Sequence, residues 1–144
     1  LKQWEKIKRE EKGNHAGVLD GVATSLPALL RSQNLQKKAA RVGFDWPDVA
    51  PVYAKLSEEI GEIREAVEQK NPAAIEAEVG DLLFSAVNLA RKLGVDAETA
   101  LAGANKRFAA RFRHIEQTLR SEGREVEGTS LEELDRIWEQ AKNA

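Results

Sequence analysis

The dipeptide Asn71-Pro72 limits the possible architecture more than any other feature of the chain. Proline has no backbone N–H and a fixed φ, so it opens a helix and cannot sit inside one, and the asparagine before it is a good N-cap. Helical periodicity lies on both sides, from about Asp48 to Gln69 and from Pro72 to Leu93, with Gly94 as a stop. So short a break between two such segments predicts an antiparallel helical hairpin. Its apolar stripes are expected at Leu56, Ile60, Ile63 and Val67 on the first helix. On the second they are expected at Val79, Leu82, Leu83, Ala86, Ala90 and Leu93.

Each arm carries a pair of acids, Glu59-x-x-Glu62 and Glu78-x-x-Asp81. Residues three apart on a helix project from one side. Both pairs are centred on Lys70, one position from the break, so the hairpin brings Glu59 level with Asp81 and Glu62 level with Glu78. In a chain that is 32% charged, such pairs are commonly solvated helix faces. Helical phase argues otherwise here. At about 100° per residue, Glu59 and Glu62 fall on the flank of the expected stripe, and Glu58 and Glu65 point away from it. Acids beside a buried seam repel one another unless positive charge lies between them. Four oxygen donors with no Cys or His suit a hard cation such as Mg²⁺, with Mn²⁺ as a possible substitute.

At 144 residues the chain has the length of one domain, read as residues 1–144 with 1–25 as a helical arm and loop. It begins at Leu1 and contains no Met, which suggests a piece of a longer chain. No apolar run approaches the roughly 18 residues of a membrane span. The expectation is a soluble, cytoplasmic chain with no membrane partner. A net charge of −2 argues against a broad nucleic-acid surface. Zero Cys excludes disulfide and thiolate chemistry.

The remaining segments are also helical. Leu1 to about Lys12 is short and charged, with Trp4 and Ile7 on one side and Gly13 as a stop. Residues 13–25 read as a loop that carries His15. A helix from Leu26 ends at Gly43, its stripe at Leu35, Ala39 and Val42. Its Arg31, Lys37, Lys38 and Arg41 serve solubility or face phosphates. In Phe44-Asp45-Trp46-Pro47, Asp45 is expected to cap the next helix. Phe44 and Trp46 are expected to cover the end of the core, with stacking on a base as the alternative. Asp96 opens a helix to about Ser121 whose stripe is Leu101, Ala104, Phe108, Phe112 and Ile115. Arg107 and Arg111 are adjacent on it, and His114 lies one turn beyond Arg111. Ser130-x-x-Glu133 is a capping box, and Trp138 and Lys142 sit one turn apart on the last helix. No segment alternates like a strand. The fold class is all-α, a bundle of five to six helices with a four-helix-bundle-like core completed by dimerisation. Di-iron carboxylate bundles need E-x-x-H pairs, and these are missing.

SEEIGEIREAV followed by EAEVGDLLFSAVNLARKLG closely resembles the MazG-type nucleoside triphosphate pyrophosphohydrolases of the all-α NTP pyrophosphatase superfamily. The likeness extends to LPALLRSQNLQKKAARVGFDW, NKRFAARFRHIE and LEELDRIWEQAK, and resembles the C-terminal half of two-domain bacterial members. The resemblance implies Mg²⁺-dependent hydrolysis between the α and β phosphates, giving monophosphate and pyrophosphate. By motif position it implies Glu59, Glu62, Glu78 and Asp81 as metal ligands. Lys55, Arg107, Arg111, Trp138 and Lys142 become nucleotide contacts, the cations on the phosphates and Trp138 near the base or sugar. It implies a homodimer; helical phase places Glu58 outward, so it is not assigned as general base. Broad base preference is the leading expectation. A relative restricted to dUTP, dCTP or phosphoribosyl-ATP is the narrower alternative, and a catalytically silent nucleotide-binding or dimerisation module is the non-enzymatic one.

Overall fold

The computed structural model describes residues 2–11 and 17–144. The expected Gly13 stop and His15 lie outside the described residues. Among those described there are six helices and no strand: α1 (Lys2–Glu11), α2 (Ala28–Arg41), α3 (Ala50–Glu68), α4 (Pro72–Lys92), α5 (Ala97–Ser121) and α6 (Leu131–Lys142). Among the described residues no helix is long and apolar enough to cross a membrane. The chain divides into two compact units, residues 1–98 and 99–144.

In the first unit, α3 and α4 form the hairpin and α2 lies against α4. The Asn71 side chain accepts the Ala74 N–H at 3.2 Å, and Pro72 occupies the first turn of α4. Lys70 just before them has a φ of 53°, the left-handed conformation that lets the chain leave α3 and turn. Gly43 and Gly94, with φ of 95° and 72°, end α2 and α4 as expected. An ion pair between Glu5 and Arg41 ties α1 to α2.

Three local expectations need correction. Asp45 does not cap α3; it accepts the Trp46 N–H at 2.8 Å and grips Arg91 through two bonds, at 2.6 and 3.1 Å. The Asp48 carboxylate takes the Ala50 N–H instead. The capping box at α6 is half made, because Ser130 Oγ accepts the Glu133 N–H while the Glu133 carboxylate is held by Arg124 at 2.5 and 2.7 Å.

The apolar phase is the third. On α3 the buried positions are Val52, Glu59 and Ala66, each one residue before an exposed Tyr53, Ile60 or Val67. On α4, Ser85 and Val87 are buried while Val79, Leu83 and Leu93 are exposed. On α5, Leu101, Phe108 and Phe112 are exposed; Ala97 at its start is buried, and the next buried residues are Ile115 and Leu119. In the second unit Ile115, Leu119 and Ile137 form a core, with Val126, Leu134 and Trp138 against it.

Candidate active site

The hairpin turns the acids of its two arms toward each other. One carboxylate oxygen from each of Glu59, Glu78 and Asp81 lies within 4.8 Å of the others. Glu59 is 2% exposed and sits in the seam itself, deeper than the flank its phase had suggested. Its Oε1 is 3.1 Å from the Lys55 ammonium, one turn earlier on α3, which also reaches Glu58 at 3.4 Å. Hydrogen bonds to Glu59 and then Glu58 raise the Lys55 pKa. Glu58 itself faces outward, as its phase predicts.

Glu62 stands beside Glu78, the other expected level. Hydrogen bonding to Glu78, with desolvation and the charges of Glu78, Glu59 and Glu58 behind it, pushes the Glu62 carboxyl up to about 7. Acids this crowded resist ionising together. The second oxygens of Glu59 and Glu78 are both buried with no hydrogen-bond partner. Buried carboxylate oxygens are costly unless a donor or a cation takes them. The donor set is all oxygen, and it fits a hard divalent cation held by Glu59, Glu78 and Asp81 with Glu62 beside them.

Residues 99–144 carry the other expected contacts. The Arg111 guanidinium carbon lies 5.5 Å from the centroid of the Trp138 ring, a cation–π arrangement. Phe108 packs on the same ring, with centroids 5.4 Å apart. Arg107 folds back over Gly103, where a Cβ would meet its Nη1 at 3.3 Å. Lys142 is exposed, its ammonium 4.0 Å from Glu139, and His114 is exposed. Glycine at 103 leaves Arg107 room to lie along the helix.

Sequence reasoning did not single out a cleft of about 620 Å³ in the first unit, bordered by α2, residues 43–46 and α4, with Lys55 in its wall. Gln36, Asp45, Ser85, Asn88 and Arg91 join Lys55 in its polar lining. The signal available was Gln33 and Gln36, two amides one turn apart on the buried side of α2 where apolar residues are the default. Phe44 is 81% exposed at this cleft and does not cover the end of a core.

Comparison with known proteins agrees with this geometry. Residues 49–116, which hold all four acids, match the MazG nucleotide pyrophosphohydrolase domain. The chain is 46% identical over 146 residues to a nucleoside triphosphate pyrophosphohydrolase of Escherichia coli (strain K12), covering 99% of this chain and 56% of that protein. It is 45% identical over 142 residues to the nucleoside triphosphate pyrophosphohydrolase/pyrophosphatase MazG of Thermotoga maritima, covering 98% and 54%. A third relative, the uncharacterized protein YabN of Bacillus subtilis, is 44% identical over 147 residues, covering 99% and 29%. The chain thus spans little more than half the length of the first two and under a third of the last. With its acid hairpin and this breadth of likeness, the chain belongs to the MazG nucleotide pyrophosphohydrolase family.

Proposed function

We propose that this chain hydrolyses nucleoside triphosphates between the α and β phosphates, with Mg²⁺ as its working ion, Mn²⁺ as a substitute, and little preference among bases. One observation carries the reading: three carboxylates converge within 4.8 Å, and Glu59 and Glu78 each keep a buried oxygen that no protein donor satisfies. In this reading Glu59, Glu62, Glu78 and Asp81 hold the ion. A bound divalent ion polarises phosphoryl oxygens and makes a water more acidic.

The protein's own part follows from charge. A triphosphate is a polyanion, and Lys55 stands at the edge of the acid cluster with one donor to spare for a phosphate oxygen. Arg107, Arg111 and Lys142 supply further cations for the phosphates, and Trp138 a flat face for the base or sugar. In the reaction a water oxygen bonds to the α phosphorus while the bond to the bridging oxygen breaks, releasing monophosphate and pyrophosphate. Charge builds on the departing pyrophosphate, and the arginines and lysines offset it.

We also propose a homodimer. Ile60 and Val67, each one position after the buried Glu59 and Ala66, and Val79 and Leu83, each one position after the half-buried Glu78 and Leu82, are apolar and exposed. A second copy of the same face covers them.

Pyrophosphate release with Mg²⁺ tests the activity. The parent releases pyrophosphate from several nucleoside triphosphates, and Glu62→Ala and Asp81→Ala each lose more than about 100-fold, the scale on which removing charge-stabilising groups acts. A parent that binds nucleotide and releases none is a silent module. Activity confined to one base is the substrate-restricted relative.

A further inference from the structure

The cleft beside the acids contains polar atoms that the fold does not use. Two glutamines of α2 make the point by contrast. Gln33, 3% exposed, is satisfied at both ends: its Nε2 donates to Asp96 Oδ1 at 2.7 Å and its Oε1 accepts the Ala97 N–H at 2.8 Å. Gln36, 5% exposed, donates Nε2 to the Phe84 carbonyl at 3.0 Å, which fixes the amide's orientation and leaves Oε1 with no partner. Arg91 likewise commits its two terminal nitrogens to Asp45 and Asn88 and keeps an unpartnered buried Nε. Both residues line the cleft, which is the route by which a partner can reach them. Natural folds rarely leave buried polar atoms unpaired without a use for them.

The position of the cleft says what that partner is. Along α4, Glu78, Asp81, Ser85 and Asn88 follow one another at spacings of three, four and three, so they share one helix face. The first two belong to the acid cluster and the last two line the cleft. From Asp81 to Asn88 the helix rises about 10 Å. On α3, Lys55 belongs to both, as wall of the cleft and partner of Glu59. A ligand whose phosphates are drawn to the acids therefore has its far end at the cleft.

We propose that this cleft receives the nucleobase of the triphosphate, with Phe44 and Trp46 against the ring and Gln36 Oε1 accepting an N–H from its edge. The inference rests on the pyrophosphohydrolase reading above. An aromatic ring as exposed as Phe44 has no packing role, and a flat base gives it one. Every common nucleobase carries an N–H on its pairing edge, so one acceptor separates them little. Gln36 and the stacking walls are then the residues that set base tolerance.

The test uses the whole chain and two readouts. In metal-free ¹H–¹⁵N spectra, adenosine monophosphate shifts the Trp46 indole signal and the Gln36 side-chain amide. In steady-state kinetics Phe44→Ala, at an exposed site that does not threaten folding, and Gln36→Met, which keeps the side chain's length and removes its acceptor, each raise KM for nucleoside triphosphates about tenfold, the worth of one base–aromatic contact or one hydrogen bond. Both leave kcat nearly unchanged and leave hydrolysis of ribose 5′-triphosphate, which has no base, as in the parent. Three results overturn the inference: a silent Trp46 signal with unchanged KM, an equal loss on ribose 5′-triphosphate, or base dependence that follows Trp138→Ala instead. A parent that releases no pyrophosphate but shows the Trp46 shift, lost in Phe44→Ala, leaves the cleft as a nucleotide site and removes only the hydrolytic reading.

Discussion

Asp45 and Glu59 are two carboxylates whose surroundings drive them apart. Glu59 is buried with one lysine for a partner and one oxygen unpaired, an arrangement with a stability cost that is sensible only if another positive charge completes it. Asp45 is over-provided. The Arg91 hydrogen bonds, the Trp46 N–H and the charges of Arg91 and Lys92 outweigh its desolvation and hold it near 2, below the usual 3.8. The sign is that of a depressed acid. Its stabilisation is complete above the unfolded value of about 3.8 and is lost as pH falls through about 2. Asp45→Asn is accordingly expected to lower unfolding free energy by about 1 kcal/mol at neutral pH, as for a well-formed bidentate pair at the surface. Urea titrations of both chains at pH 7, 4 and 3 check it, and the gap between them narrows below pH 4. A gap independent of pH shows that the carboxylate's charge is not what matters.

At the scale of elements, the hairpin follows from three consecutive residues. Lys70 adopts the left-handed conformation, Asn71 caps and Pro72 starts α4, and the register they set brings Glu59 to Asp81 and Glu62 to Glu78. Lys70 is where glycine is cheaper and Asn71 is where a side-chain oxygen is used. Lys70→Gly is therefore expected to stabilise by about 0.5 kcal/mol and Asn71→Ala to destabilise by about 1 kcal/mol. Chemical denaturation midpoints moving in opposite directions check the pair; movement in the same direction means that the turn is held by packing instead. This part of the site was legible in the sequence because helix breaks, caps and spacing of three are local. The role of Gln36 was not, because its one bond runs to Phe84, 48 residues away, and no local pattern marks an amide whose oxygen is left over.

At the scale of the molecule, the misplaced apolar phase becomes informative. The seam between α3 and α4 contains Val52, Glu59 and Ala66 from one side, and the stripe read from the sequence at Ile60 and Val67 lies one residue on. A step of one residue turns a helix by about 100°, and in antiparallel helices viewed from one end the two steps turn in opposite senses. Residues just after the seam on α3 and on α4 therefore reach the same side of the hairpin. Ile60 and Val67 follow the buried Glu59 and Ala66 on α3, and Val79 and Leu83 follow the half-buried Glu78 and Leu82 on α4, so the four line one apolar side, with Leu83 60% exposed. The periodicity in the sequence was real, and it marked this outer face; the inner seam had to admit a charged residue for the site and so carries a weaker pattern. In the homodimer proposed above, a second copy covers this face through a two-fold axis. Leu83→Glu places like charges across that axis and desolvates them, so it is expected to convert a species of twice the chain mass into a single chain, as sedimentation or light scattering reads directly. The melting temperature falls with it, because folding and association are coupled through the same buried area. If the parent already sediments as one chain, or if Leu83→Glu leaves its mass doubled, this face is not the dimer interface and the periodicity needs another partner to account for it.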